Sequence, residues 1–163
     1  MEERRYAERK DRSESILGLV VYSPVIYLVV FLVSFGLHLL YPIKIAESKI
    51  LLPVGVFLLA AAPLLILWSQ RALSRFRKRE AAGEGERSFA LGPYRFTRNP
   101  TYVGLSLLTL GFALVMNSLL VLLGVLVSFH IVHLGIVKRE ERLLAKKYGE
   151  DYERYRSKVR PWL

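Results

Sequence analysis

Four uncharged apolar stretches divide the chain: Ile16 to Leu40, Ile50 to Trp68, Tyr102 to Met116 and Leu119 to Val137. A bilayer core about 30 Å thick takes roughly 20 helical residues to cross. The first, second and fourth stretches meet that length. The third is shorter and gains its start from Asn99-Pro100-Thr101, where Asn is a favoured N-cap and Pro suits the first helical position because an N–H there has no intrahelical acceptor. Asn117-Ser118 reads as a tight turn, so the third and fourth helices are expected to form an antiparallel hairpin turning at or just within the far interface. Pro24, Pro53 and Pro63 fall inside the first two spans and predict packed kinks. Past the fourth span, Tyr148, Tyr152, Tyr155 and Val159 recur at helical spacing among Lys, Arg and Glu. That stripe predicts an amphipathic helix along the membrane surface or folded over a ligand as a lid, with Gly149 free to kink it. The expected fold is therefore all-α: a polytopic membrane protein with four transmembrane helices, the last two a tight hairpin, and a C-terminal amphipathic interfacial helix.

Composition agrees with the pattern. The 163 residues are 53% hydrophobic, with a mean hydropathy of +0.31. There is no cysteine, which excludes a disulfide framework, a thiolate metal site, c-type haem attachment, a cysteine nucleophile and a palmitoyl anchor. The net charge of +10 does not point to nucleic acid, because the basic residues flank the apolar spans, where membrane insertion puts them. Of the 24 Lys and Arg, 5 precede Ile16, 2 lie between Tyr41 and Lys49, 8 between Ser69 and Thr101, and 9 from Lys138 onward. By the positive-inside rule both termini and the 69–101 connection face the cytoplasm, which requires an even number of crossings. The head is not expected to be a cleaved signal, since its charges are mixed and its apolar run is long. The organisation expected is a cytoplasmic segment at 1–15, two transmembrane helices in 16–68, a cytoplasmic connection at 69–101, a helical hairpin at 102–137 and a cytoplasmic lid helix at 138–163. Within the connection, Glu80 to Glu86 reads as a flexible break after a basic extension of the second span.

Two polar segments carry the chemistry. One approaches the third helix, from Phe89 to Gly104. The other leaves the fourth as Lys138-Arg139-Glu140-Glu141-Arg142. The hairpin brings them side by side, so Tyr94, Arg98, Asn99 and Tyr102 meet Glu140 and Glu141. The start of the third helix offers unpaired N–H groups and a partial positive charge suited to a carboxylate or phosphate, reinforced by Arg98. The two glutamates suit an ammonium, a sulfonium or ribose hydroxyls, and the tyrosines offer faces to a cation or an adenine. The same residues also read as an ordinary helix start, a solvated interfacial run and an aromatic belt. His130 and His133, three residues apart in the fourth helix, are either functional or helix-to-helix hydrogen-bonding groups. His38 is expected near the opposite interface. Two histidines on one helix without a third ligand make no metal site.

The pattern Gly92-x-Tyr94-x-x-x-Arg98-x-Pro100-x-Tyr102-x-Gly104, followed after the hairpin by Glu140-Glu141-x-x-Leu144-x-x-x-Tyr148-Gly149-x-x-Tyr152-x-x-Tyr155-x-x-x-Val159-x-x-Trp162, resembles the catalytic half of the isoprenylcysteine carboxyl methyltransferase and phospholipid methyltransferase superfamily. The resemblance runs from Phe89 to Val159. It implies S-adenosylmethionine as cofactor, with S-adenosylhomocysteine as product, no metal and no Rossmann fold; the chain contains no G-x-G-x-x-G, only the fragment Gly83-Glu84-Gly85. By the same resemblance Phe89, Tyr94, Pro100 and Tyr102 line the cofactor, Arg98 and Gly104 frame the motif, Glu140 grips the cofactor and Glu141 accompanies it. Asn99, also expected among the cofactor-binding residues, departs from the histidine common in the family: it can donate a hydrogen bond and cap the helix but cannot titrate near neutrality. Ile136 departs from the arginine with which isoprenylcysteine enzymes resemble one another, which weakens the case for a prenylcysteine carboxylate.

The implied reaction is methyl transfer to a lipophilic acceptor, a phospholipid amine or an isoprenylcysteine-like carboxylate, reaching the cytoplasmic face laterally from the surrounding membrane lipids. Direct displacement requires alignment and exclusion of water. An amine acceptor also needs a base, for which Glu141, His133 and His130 are the candidates. The alternatives are an NADPH-dependent membrane reductase of the sterol-reductase type and a non-enzymatic membrane adaptor. No glycine-zipper pattern calls for a dimer.

Overall fold

The computed structural model describes residues 23–82 and 89–162. The expectations for Met1 to Ser15, for Ile16 to Tyr22 and for the break beyond Ala82 lie outside these residues. Among the described residues the architecture is helical: α1 Ser23–Leu40, α2 Leu51–Ala81, α3 Pro100–Val115, α4 Leu119–Ile131, α5 Lys138–Tyr148 and α6 Glu150–Lys158. A 3-10 turn, Gly92–Arg95, precedes α3, and a π-helical segment, Val132–Val137, joins α4 to α5 without a break. Three helices among the described residues are long and apolar enough to cross a membrane: Ser23–Leu40, Leu51–Glu80 and Leu119–Tyr148. The remaining apolar helix, α3, has 16 residues, a length of about 24 Å at 1.5 Å per residue.

That short helix is the middle of the bundle. Along it only Phe112 is exposed, whereas α2 turns Val54, Val56, Phe57, Leu64 and Leu67 outward. Ser23, Tyr27 and Phe31 of α1 meet Tyr102, Ser106 and Phe112 in the same order, so α1 runs parallel to α3. Gly55, Leu59 and Ile66 of α2 meet Val115, Gly111 and Gly104 in the reverse order, so α2 runs antiparallel to it. The turn at Met116 and Asn117 reverses the chain into α4, and Tyr102 reaches Glu140 beyond it.

Small residues set the α2–α3 distance. A Cβ added to Gly55 would stand 2.8 Å from the Val115 nitrogen and 2.9 Å from the Gly111 carbonyl, and one added to Gly104 would stand 2.5 Å from Ile66 Cγ1. Such close approach is how helices gain dispersion energy where lipid removes the hydrophobic driving force.

The two ends of the bundle differ. At one end the 41–50 loop is stitched to the hairpin turn. Asn117, at φ 48°, accepts from the Ile45 and Ala46 N–H groups at 3.0 and 3.2 Å and donates to the Ala46 carbonyl at 2.9 Å. Ser118 caps α4 by accepting from the Val121 N–H at 3.2 Å. Backbone groups at membrane depth need such partners. The opposite end holds the long extension of α2, residues 89–99, α5 and α6.

Some expectations are corrected. Pro53 falls in the first turn of α2, where it removes no intrahelical bond and kinks nothing, while Pro63 lies inside the helix as expected. The segment after the fourth span is two helices, because Gly149 at φ 56° and ψ −129° breaks it. Its aromatic stripe faces protein: Tyr148, Tyr152 and Val159 are buried, Tyr152 at 2% exposure. The stripe faces α2 and the 89–99 segment.

Gly55→Ala should therefore force α2 away from α3 and cost about 1–3 kcal/mol, the usual scale of overpacking. Gly36→Ala, whose Cβ would meet nothing within 4 Å, is the control. Thermal unfolding of both in detergent checks this, and an unchanged Gly55→Ala would mean the helices are not held by close contact.

Candidate functional site

The 3-10 turn is fixed by Gly92, which has φ +55° and no room for a side chain: a Cβ would lie 3.0 Å from Trp68 Nε1 and 3.2 Å from Ala72 Cβ. Pro93 follows, buried, and Tyr94 is thereby delivered beneath the α2 extension. Residues 97–99 then pair with the stretch at 160–161. The Arg98 N–H donates to the Arg160 carbonyl at 3.0 Å, and Thr97 Oγ1 and Asn99 Nδ2 both donate to the Pro161 carbonyl, at 3.0 and 2.9 Å. Asn99 stands at the cap position, yet its side chain does not cap α3. The expected capping bond is replaced by one to a residue 62 positions away. Pro100 at the first helical position is as expected.

Glu140 and Glu141 are adjacent on α5, so their side chains diverge by about 100°. Glu140 is buried and turns into the bundle, where Tyr102 donates to its Oε1 at 2.7 Å and Ser23 Oγ donates to the Tyr102 hydroxyl at 3.1 Å. Glu141 turns the other way and pairs with Arg98, Oε1 to Nη1, at 2.9 Å, the two side chains 16% and 9% exposed. Arg98 Nε, Arg98 Nη1 and Glu141 Oε1 are all buried without a well-formed hydrogen bond, and the Tyr152 phenol interacts with the same guanidinium. A guanidinium nitrogen left in that state is poised for an acceptor from outside the chain.

Arg98 opens onto a cavity of about 300 Å³ between the α2 extension, residues 89–94, α5 and α6. Phe76, Phe89, Tyr94, Tyr148, Tyr152 and Tyr155 make its aromatic wall, and Arg77, Glu80, Arg98 and Lys147 supply the charges. Phe89 is the hub, with ring centroids 5.1 Å from Phe76, 5.0 Å from Tyr148, 5.6 Å from Tyr152 and 5.5 Å from Tyr155. The Tyr155 hydroxyl donates to the Tyr94 carbonyl at 2.8 Å. Glu80 ties α2 to α5 through Lys147 at 3.1 Å and the Tyr148 hydroxyl at 3.0 Å.

Burial pushes the Tyr152 phenol up to about 12, with the negative charge of Glu141 adding to the effect and Arg98 opposing it. Burial also raises Tyr94, and raises Tyr155 further, where the neighbouring Tyr152 adds. All three stay neutral at physiological pH, so the wall offers aromatic faces and hydroxyl groups and no phenolate base.

The sequence-derived candidates thus separate. Phe89, Tyr94 and Arg98 line the cavity, and Glu141 holds Arg98. Asn99, Pro100, Tyr102, Gly104 and Glu140 stand behind that wall, in the pairing with 160–161, the α2–α3 contact and the buried Ser23–Tyr102–Glu140 chain. His133 Nδ1 accepts from Trp162 Nε1 at 3.2 Å, and its ring stacks on Phe129. His130 is exposed, with Nδ1 2.9 Å from the Leu126 carbonyl. Neither histidine lines the cavity. Sequence reading missed the α2 wall of Ala72, Phe76 and Glu80. Their i, i+4, i+8 spacing was the available signal, hidden among Arg71, Arg75, Arg77, Lys78 and Arg79.

Comparison with known proteins gives two matches. The profile of one family, described as phospholipid methyltransferase, matches residues 50–151. An uncharacterised protein of Haemophilus influenzae is 37% identical over 62 residues, which are 38% of this chain and 98% of that protein. No solved structure matches the chain.

Arg98→Met leaves Glu141 without its cation and should cost about 3–5 kcal/mol, the scale for breaking a buried pair from one side. Replacing both by Met and Leu should recover most of it. A double-mutant cycle by thermal unfolding checks this; additive losses would mean the two side chains are not coupled.

Proposed function

Because the chain belongs to the phospholipid methyltransferase family, we propose that it is a multi-pass membrane enzyme transferring the methyl group of S-adenosylmethionine to a lipophilic acceptor at the cytoplasmic face. The observation that carries this reading is the aromatic cavity with an unpaired buried Arg98 Nε at its wall. Its donor set fits the cofactor. The aromatic rings suit adenine and a sulfonium, the latter through attraction of a cation to the ring face. Arg98 suits a carboxylate, and no metal ligand is needed.

The bound cofactor supplies an activated methyl group that leaves by direct displacement, with the sulfur keeping the bond's electron pair. The chain's own residues then align and shield. Arg98 holds the amino-acid carboxylate through Nε while Glu141 orients the guanidinium through Nη1. Tyr94, Tyr152 and Tyr155 enclose the ligand as neutral rings and exclude water. Tyr102 and Glu140 act from behind, locking α3 to α5 so that Arg98 and Tyr94 keep their positions.

The acceptor reaches this end of the bundle from the lipid. Ile136, in an apolar cluster with Tyr27, Tyr102, Val132 and Val137, offers no cation to a prenylcysteine carboxylate, which favours an amine-bearing phospholipid. Of the candidate bases, Glu141 is committed to Arg98 and His133 Nδ1 to Trp162. With Nδ1–H donated to the Leu126 carbonyl, His130 keeps Nε2 as an acceptor. The orientation follows from the basic residues, 22 of which lie on the segments of one side and 2 on the other.

Calorimetry on detergent-purified protein tests the reading. S-adenosylmethionine and S-adenosylhomocysteine should bind and NADPH should not. Tyr94→Ala should weaken both by about 1–3 kcal/mol, the scale of a lost base–aromatic stack. Binding of NADPH with silence from the sulfur ligands would make the protein a reductase, and silence from all three in folded protein an adaptor.

A further inference from the structure

Among the described residues the cavity wall includes one acidic side chain, Glu80. The sequence pattern assigned this residue to a flexible break, and the chemistry of Glu140 and Glu141 suited those two to the ligand's positive and hydroxyl groups. Neither of those two lines the cavity. The other charged groups on the wall, Arg77, Arg98 and Lys147, carry donors and no acceptor. Two of the four phenols are engaged as donors, since Tyr155 donates to the Tyr94 carbonyl and Tyr148 donates to Glu80. A ligand hydroxyl seeking a charged acceptor finds Glu80.

The Glu80 carboxylate is held but not saturated. Oε1 accepts from Lys147 Nζ at 3.1 Å and from the Tyr148 hydroxyl at 3.0 Å, and Oε2 lies 3.1 Å from that same hydroxyl. One hydroxyl proton is divided between the two oxygens, whereas a carboxylate offers about four acceptor directions. The side chain is 28% exposed.

Position along α5 decides which ligand group goes there. Arg98, which suits the carboxylate, is paired with Glu141, and Glu80 is paired with Lys147 and Tyr148. Six residues of helix separate Glu141 from Lys147, about 9 Å. The amino-acid arm of the methyl donor, extended through its sulfur, bridges a gap of that size. Its ammonium stays with its carboxylate at the Arg98 end, and the far end is the ribose. A vicinal diol presents two donors to one carboxylate, the arrangement by which an acidic residue reads a ribose in dinucleotide sites. We infer that Glu80 receives the ribose hydroxyls of the methyl donor, an assignment that rests on the reading of the cavity as the S-adenosylmethionine site.

The test is calorimetric titration of wild-type, Glu80→Gln and Tyr148→Phe proteins with three ligands: S-adenosylhomocysteine, its analogue lacking both ribose hydroxyls, and methylthioadenosine, which lacks the amino-acid arm. Thermal unfolding of each variant confirms that it is folded. Glu80→Gln should weaken S-adenosylhomocysteine and methylthioadenosine in parallel, by roughly 10- to 100-fold, as for a hydrogen bond to a charged group, and leave the analogue without hydroxyls unchanged. Tyr148→Phe, which removes a tie to Glu80 but keeps the ring and the carboxylate, should preserve the preference for the ribose hydroxyls. Equal loss for all three ligands, or a Tyr148→Phe variant that reproduces the Glu80→Gln pattern, would overturn the assignment and make Glu80 a tie between helices. A loss confined to S-adenosylhomocysteine and its analogue would overturn it in favour of the ammonium. Wild-type protein that binds none of the three removes the methyl-donor reading itself, and this assignment with it.

Discussion

The contact of α3 with α2 through Gly55, Gly104 and Gly111 fixes where everything at the basic end of the bundle stands. A helix of 16 residues falls short of a bilayer core about 30 Å thick, and longer helices pack around it. Once it is pressed against α2, the residues just before Pro100 must lie beneath the α2 extension. Gly92 then meets Trp68 and Ala72, and Tyr94 and Phe89 face Phe76. The cavity is thus a consequence of helix length: α2 runs on for several turns past the start of α3, and α5 and α6 close the space left beside that overhang.

Polar groups inside the bundle are used sparingly and in pairs. Tyr27 and Ser106 bond at 2.7 Å, and Ser23, Tyr102 and Glu140 form a chain across α1, α3 and α5. Each such bond helps set rotational register, because a hydroxyl in apolar surroundings loses free energy when its partner turns away. The π-helical segment fits the same logic. Its wider turn comes between the apolar α4 and α5, whose acids must point two ways, and it carries Val132, Ile136 and Val137 into the core.

Much of the fold was legible because it depends on local rules. Apolar run length gave the helices, Asn117-Ser118 gave the turn, and Gly149 gave the break between α5 and α6. The tyrosine stripe was legible as one face, but not what covers it, since period alone does not distinguish lipid from protein. The rest depended on tertiary register. Asn99 has the chemistry of a cap, yet a carbonyl at Pro161 competes for its amide. Glu80 sits among Ala and Gly in sequence and looks like linker, and only the overhang of α2 turns it toward Lys147. That Tyr94 and Arg98 stand near α5 was legible from the hairpin, and the resemblance, which begins at Phe89, pointed to the same segment. Arg77 and Lys147 were missed because each is one basic residue among many.

The two consecutive acids of α5 explain how one helix serves both the bundle and the cavity. Glu140 is fastened to Tyr102 and so reports the position of α3, while Glu141, a third of a turn away, is fastened to Arg98 at the cavity wall. Because Glu141 engages Nη1 and Nε remains unpaired, a ligand carboxylate at Nε need not break the ion pair. The guanidinium fork accommodates both partners at once. Lysine, with a single ammonium and no planar fork, could not hold its internal acid in one direction and an external anion in another with the same geometry. The pair therefore fixes the Arg98 guanidinium without any ligand, and the helix that orients Arg98 is the one that Tyr102 has locked against the core.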